Sequence, residues 1–142
     1  MDELISLTPL KIITLERGDV LHAIKRGDKG FVEFGEVYFS QIKPNAIKAW
    51  KRHFEMTLNL VVPVGTVRFV LCDDRYPGEK KIEVVTLSKE NYQRLTVPPM
   101  IWVGFQGLDE EVSTILNVAD IAHRAEESES KCVSEIEFDW SK

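Results

Sequence analysis

Short segments of alternating or β-branched residues, cut off from one another by turn residues, run through the middle of this chain. Val37, Phe39 and Gln41 fall on one face of a strand, and Tyr38, Ser40 and Ile42 on the other. Leu58-Asn59-Leu60-Val61-Val62, Val67-Arg68-Phe69-Val70-Leu71, Ile82-Glu83-Val84-Val85 and Ser113-Thr114-Ile115-Leu116 are of the same short kind. Pro44-Asn45, Pro63 to Gly65, Asp73-Asp74, Pro77-Gly78 and Pro98-Pro99 punctuate them. This spacing predicts an all-β sandwich or barrel. No segment sustains a helical period. Ser88 to Asn91 suits a single turn, and Arg124 to Lys131 reads as a solvated loop or short helix. Two apolar runs near the start, Lys11 to Leu15 and Val20 to Ile24, suit outer strands that could pair with a second subunit.

A length of 142 residues fits one domain, spanning 1–142 with 1–28 as N-terminal outer strands. With 44% apolar residues the chain can bury a core. No apolar run approaches the ~20 residues of a membrane helix. Met1-Asp2-Glu3-Leu4 lacks the basic start and apolar stretch of a signal peptide, so the cytoplasm is the expected compartment. Cys72 and Cys132 form no Cys-x-x-Cys pair and read as free thiols. The net charge of −5 argues against general nucleic-acid affinity, while leaving room for a local cationic pocket for phosphate.

Lys48-Ala49-Trp50-Lys51-Arg52-His53 and Val97-Pro98-Pro99-Met100-Ile101-Trp102-Val103-Gly104-Phe105 resemble the two signature segments of a small cupin barrel. The resemblance implies a cupin jelly roll, a double-stranded β-helix barrel. Cupins that hold a metal take it from His-x-His and a Glu in the first segment and a His in the second. Those positions here read Lys51, His53, Leu58 and Val103. One histidine cannot replace four ligands, so neither a metal nor another cofactor is expected. His22 and His123 are too isolated to rebuild the set.

Over most of its length the chain resembles the dTDP-4-dehydrorhamnose 3,5-epimerases, which are cupins without a metal. Lys29-Gly30-Phe31-Val32-Glu33 is similar to that family's Arg-Gly-Phe-Phe-x-Glu, and Phe39-Ser40-Gln41 to its Phe-x-Gln strand. Lys48-Ala49-Trp50-Lys51 stands where the family has Arg-Gly-Leu-His. Asp73-Asp74-Arg75 and the run from Leu87 to Phe105 match in order and spacing. A branch of the superfamily associated with surface-polysaccharide sugars resembles the chain further, at Lys48 to His53, Asn117 to His123 and Asp139-Trp140. The resemblance implies proton removal beside a C4 ketone by a histidine, and proton return by a tyrosine on the opposite ring face. The family's histidine position is Lys51 and its tyrosine position Leu116 or Asn117. The aspartate that orients the histidine has no counterpart in the sequence.

What remains assigns roles as follows. Lys51 and His53, two apart on a strand, point inward together, with His53 as the base and Lys51 as the cation for an enolate or phosphate. The structural alternative pairs Lys51 with Glu55 and leaves His53 a satisfied interior group. Two inward ionisable groups are costly without a use, which favours the functional reading. Lys29, Glu33, Gln41, Lys48, Arg68 and Trp102 are the expected substrate contacts, the lysines and Gln41 on the diphosphate. Trp50 suits a pocket or core packing equally, and Tyr38 and Tyr92 are alternative proton donors. Asp73-Asp74-Arg75 reads as a turn with an ion pair, and Glu126-Glu127-Ser128-Glu129 as solvated surface. The expected partner is a nucleotide-diphosphate sugar, and the expected assembly a homodimer. The function expected is a nucleotide-sugar 3,5-epimerase or isomerase in polysaccharide biosynthesis; the rival is a non-catalytic nucleotide-sugar-binding cupin.

Overall fold

The structure, a computed structural model, describes residues 4–142. In chain order the strands are β1 (Ser6–Pro9), β2 (Ile12–Ile13), β3 (Val20–Leu21), β4 (Glu36–Ile42), β5 (Ile47–His53) and β6 (Leu58–Val64). They continue as β7 (Thr66–Tyr76), β8 (Glu79–Ser88), β9 (Gln93–Val97), β10 (Trp102–Gly107), β11 (Ser113–Ala119) and β12 (Ser128–Ser130). Two 3₁₀ turns, Ala125–Glu127 and Val133–Glu135, flank β12. Two five-stranded antiparallel sheets, ordered β1-β9-β6-β11-β4 and β12-β5-β10-β7-β8, form the opposed walls of the barrel. This is the all-β barrel expected from the alternation and the cupin jelly roll that the resemblance implied. Among the described residues no helix is long and apolar enough to cross a membrane.

Period-two alternation decides which side chains fill the interior. Val67, Phe69 and Leu71 of β7 join Val85 and Leu87 of β8, Leu58 and Leu60 of β6 and Leu95 of β9 in one core, all buried. The intervening residues of β7, Val70 and Cys72, face the opposite way. With Trp50, Trp102 and Ile136 they build a second apolar cluster outside the β5-β10-β7 sheet. Both cysteines are free, Cys72 buried and Cys132 exposed. Segment 131–142 lies over that outer cluster. Ile136 is buried in it, and Phe138 and Trp140 pack against it.

Three local expectations change. The two N-terminal apolar runs pair with each other as the β2-β3 ribbon, while Ser6–Pro9, not anticipated as a strand, extends the first sheet along β9. Backbone pairing along a sheet edge is not visible in side-chain periodicity, which is why β1 escaped notice. Residues 1–3 of the expected outer-strand segment lie outside the described residues. Residues 128–130 form a strand against β5 rather than a solvated loop, because Ser128 and Ser130 lie opposite His53 and Lys51. Asp73 to Arg75 continue β7 rather than turn. The expected ion pair is present, the Arg75 Nε and guanidinium N–H donating to Asp73 Oδ1 and Oδ2 at 2.9 Å each. The Ser88 to Asn91 turn forms, with the Asn91 N–H donating to Ser88 Oγ at 3.2 Å.

Candidate active site

Between the two sheets lies an open cavity of about 490 Å³, within the size range of small-molecule sites. Its floor is hydrocarbon, from Leu58, Leu60, Phe69, Val103, Phe105 and Ile115. Its polar groups stand on opposed walls. Lys48, Lys51 and His53 come from β5, and Tyr38, Ser40 and Asn117 from β4 and β11. Facing sheets sit about 10 Å apart, so a ligand between them touches both walls.

A local irregularity sets the row on β5. Lys51 pairs with Val103 and Lys48 with Phe105, so three residue steps on β5 span two on β10. In a regular strand, residues three apart point to opposite faces. The extra residue of this bulge turns both lysines inward. Two steps beyond Lys51, His53 falls on the same inner face. Lys48 Nζ donates to the Gln41 carbonyl at 2.7 Å, bridging the two walls. Lys51 forms no ion pair among the described residues, and Glu55 is taken by Arg124. The pairing of Lys51 with Glu55 is therefore absent.

His53 has the partner that sequence reading could not supply. Its ring Nδ1 lies 2.7 Å from Glu127 Oε1, and both side chains are buried. Glu127 Oε2 accepts the backbone N–H groups of Glu55 and Met56, each at 2.9 Å. Burial pushes the Glu127 carboxyl up. The His53 hydrogen bond and the two backbone N–H groups outweigh it and hold the group below the usual carboxylate range. An ionised Glu127 requires His53 to carry its proton on Nδ1. In the neutral ring Nε2 is then the free basic nitrogen, and no group of the described chain hydrogen-bonds to it. The reading of residues 126–129 as solvated surface is thus corrected at Glu127, which is 2% exposed. Nothing local marks it, since its neighbours Glu126 and Glu129 do face solvent. The only available signal was the general need of a working histidine for an orienting carboxylate.

On the opposite wall Tyr38 and Asn117 are register partners on β4 and β11. Asn117 Nδ2 donates to the Tyr38 hydroxyl at 2.8 Å. That bond holds the Tyr38 hydroxyl at the cavity wall opposite His53. Tyr92, the other candidate donor, is buried elsewhere, its hydroxyl bonded to the His22 carbonyl at 2.7 Å. His123 lies outside the cavity, its backbone N–H bonded to Glu36.

The remaining expected contacts lie outside this cavity. Trp102 faces the outer side of its sheet. Its Nε1–H donates to Asp74 at 3.0 Å, and the Arg52 guanidinium sits 4.6 Å from its ring centre. Arg68, also on the outer face, donates to the Trp140 and Lys142 carbonyls and to Gln106 Oε1. For both residues the physical reason is alternation, because the inward positions beside them are Val103, Val67 and Phe69. Gln41 reaches the site only through its backbone carbonyl. Lys29 borders a separate cleft with Ile5, Leu7 and Glu83. Glu33 is exposed on the loop before β4 and does not line the cavity. Of the four metal-cupin positions, Leu58 and Val103 line the cavity as hydrocarbon, and the donors present do not fit a divalent metal.

No family model matches the chain. The crystal structure of a dTDP-sugar isomerase from Desulfovibrio desulfuricans G20 is 38% identical, with a TM-score of 0.90 over 96% of this chain and 90% of that one. A dTDP-6-deoxy-D-glucose 3,5-epimerase from Legionella pneumophila Philadelphia 1, solved with dTDP-4-keto-L-rhamnose, shares the fold. It has a TM-score of 0.75 at 18% identity, over 89% of this chain and 77% of that one. Among curated proteins, the probable low-salt glycan biosynthesis epimerase Agl13 of Haloferax volcanii is 29% identical over 83 residues, or 56% of this chain. The chain spans about half the length of that curated relative, 53%. A TM-score of 0.90 with 38% identity over nearly all of both chains goes beyond a shared barrel. The chain belongs to the family of that dTDP-sugar isomerase, and it shares its cupin barrel with the dTDP-4-dehydrorhamnose 3,5-epimerases.

Proposed function

We propose that this chain is a nucleotide-sugar isomerase or epimerase. It moves a proton beside the ketone of a dTDP-4-keto-6-deoxyhexose or a close analogue, in the cytoplasm, on the way to a surface polysaccharide. The observation that carries the reading is the buried His53–Glu127 pair at 2.7 Å, with Nε2 left free. A satisfied core histidine would use both ring nitrogens or lie among other polar groups. Here one nitrogen is fixed by a carboxylate and the other is left unbonded, in a side chain that lines a mostly hydrocarbon cavity.

The steps follow from the walls. His53 Nε2 takes the proton from the carbon next to the ketone, and the electron pair moves into an enolate. Glu127 meets the charge that develops on the imidazolium. The Lys51 ammonium stands on the same wall to oppose the enolate oxygen, and Lys48 adds positive charge for the diphosphate. Tyr38, across the cavity, returns a proton to the other ring face. The hydrocarbon floor suits the methyl carbon of a 6-deoxy sugar. No step needs a metal or organic cofactor.

We further propose a homodimer. Val32, Phe34 and Phe39 are 62%, 66% and 69% exposed around the β4 edge strand, an apolar surface of the kind that a second subunit covers. Glu33 lies between Val32 and Phe34 on that exposed surface.

Product analysis tests the assignment. The protein, incubated with dTDP-4-keto-6-deoxyglucose, is expected to yield a distinct isomer by chromatography and NMR. Tyr38→Phe should lower that turnover about 100-fold, the range of a lost proton-transfer group, with dTDP affinity nearly unchanged. Full turnover in Tyr38→Phe would remove Tyr38 from the chemistry.

A further inference from the structure

The two inward lysines depend on a bulge, and the bulge depends on what lies behind it. Opposite the extra residue, β10 has Gly104. A Cβ there would stand 2.8 Å from Ala49 Cβ and 2.9 Å from Trp50 Cε3, so only glycine leaves room for the bulged residues. Trp50, 2% exposed, fills the outer side. Segment 131–142 holds it there by four contacts. The Trp50 N–H donates to the Lys131 carbonyl at 2.9 Å, and the Lys131 N–H returns a bond to the Trp50 carbonyl at 3.0 Å. The indole N–H donates to the Val133 carbonyl at 3.1 Å. The Trp140 ring packs 5.6 Å away, centre to centre.

Arg68 ties down the far end of the same segment. It is 9% exposed and bonds the Trp140 carbonyl at 2.5 Å and the Lys142 carbonyl. Its guanidinium lies 5.9 Å from the ring centres of both Phe138 and Trp140. A buried guanidinium spent on two backbone carbonyls gives this segment a fixed place on the sheet, not a loose one.

We infer that segment 131–142 positions the cavity's cations: by pinning Trp50 on the outer face, Trp140 and Arg68 hold the β5 bulge that turns Lys48 and Lys51 inward. Trp140 and Arg68 are positioning residues that touch no ligand. Their effect reaches the cavity through Trp50, and it falls on the negative charges held there, because Lys48 and Lys51 are the groups re-aimed. His53 is held independently by Glu127 and should keep its place. The inference rests on the roles proposed above, Lys48 at the diphosphate and Lys51 at the enolate oxygen.

The test compares Trp140→Ala, Lys48→Met and the double variant, with dTDP as the probe. Trp140→Ala is expected to weaken dTDP binding about 10-fold in calorimetry through Lys48, and to lower kcat as well through Lys51. The double variant should bind no more weakly than Lys48→Met alone, since both changes remove the same contact. Trp140→Phe, which keeps an aromatic packing partner, should restore most of the affinity. Unchanged affinity in Trp140→Ala, or additive losses in the double variant, would overturn the inference. A readout without ligand separates this idea from the function it rests on: side-chain NOEs from Lys48 to Phe105 and from Lys51 to Val103. Loss of these NOEs in Trp140→Ala, with the rest of the spectrum intact, supports the positioning role even if dTDP does not bind. Their persistence contradicts it.

Discussion

Replacing His53 should abolish turnover while leaving the ligand in place. A positioned general base contributes roughly 10²–10⁴-fold, so His53→Ala is expected to fall by about 10³ in kcat. That variant also strips Glu127 of a partner, and a lower stability could imitate a lost base. His53→Asn separates the two effects, since an amide N–H can still reach Glu127 but offers no basic nitrogen. Both variants should be equally inactive, and His53→Asn should melt close to the wild type. Binding of dTDP should persist in both, because Lys48 and Lys51 are untouched. An active His53→Asn would show that the base lies elsewhere.

The second large effect concerns Glu127. Its carboxylate accepts three hydrogen bonds at zero side-chain exposure, so Glu127→Ala leaves the Glu55 and Met56 N–H groups and the His53 Nδ1–H without an acceptor. Unsatisfied buried donors cost about 1–3 kcal/mol each, less whatever water recovers, so a loss of about 3 kcal/mol is expected in urea unfolding. Glu127→Gln keeps the shape and one acceptor oxygen, and isolates the charge. The folded carboxyl is held below its ordinary value of 4.5. Its ionised form therefore adds stability that is fully present above that value and fades as pH falls through the lower, folded value. The stability gap between wild type and Glu127→Gln should be constant from pH 7 to about 5 and should shrink in more acid solution. A gap independent of pH down to 3 would mean that folding leaves the carboxyl's proton affinity unchanged, and a gap that widened as pH fell from 7 would mean that the group is protonated in the folded protein.

Legibility in the sequence followed the reach of each physical signal. Alternation within a strand is local, so β4 and β7 and the inward faces of His53 and Lys51 could be read directly. The same rule, carried one residue further, puts Val103 in the cavity and corrects Trp102, expected there as a substrate contact, to the outer face. The bulge was another matter. Lys48 and Lys51 are three residues apart, and a regular strand would separate them. Only the pairing with β10, and the missing Cβ of Gly104, brings them together. Glu127 was hidden for a different reason. It lies 74 residues from His53, within a run of charges, and its burial is decided by β12 pairing with β5. Arg68 shows the reverse error. Expected among the substrate contacts, its guanidinium instead bonds the carbonyls of segment 131–142. Resemblance supplied the chemistry, while the position of each proton-transfer group had to come from the two facing walls.

The most direct measurement is proton NMR of dTDP-4-keto-6-deoxyglucose with the protein in D₂O, with dTDP binding measured on the same sample. The expected result is protein-dependent loss of the H3 signal, of H5, or of both, which His53→Asn abolishes. Binding with no exchange at any carbon beside the ketone would contradict proton transfer at His53 and would leave a cupin that holds a nucleotide sugar without turning it over.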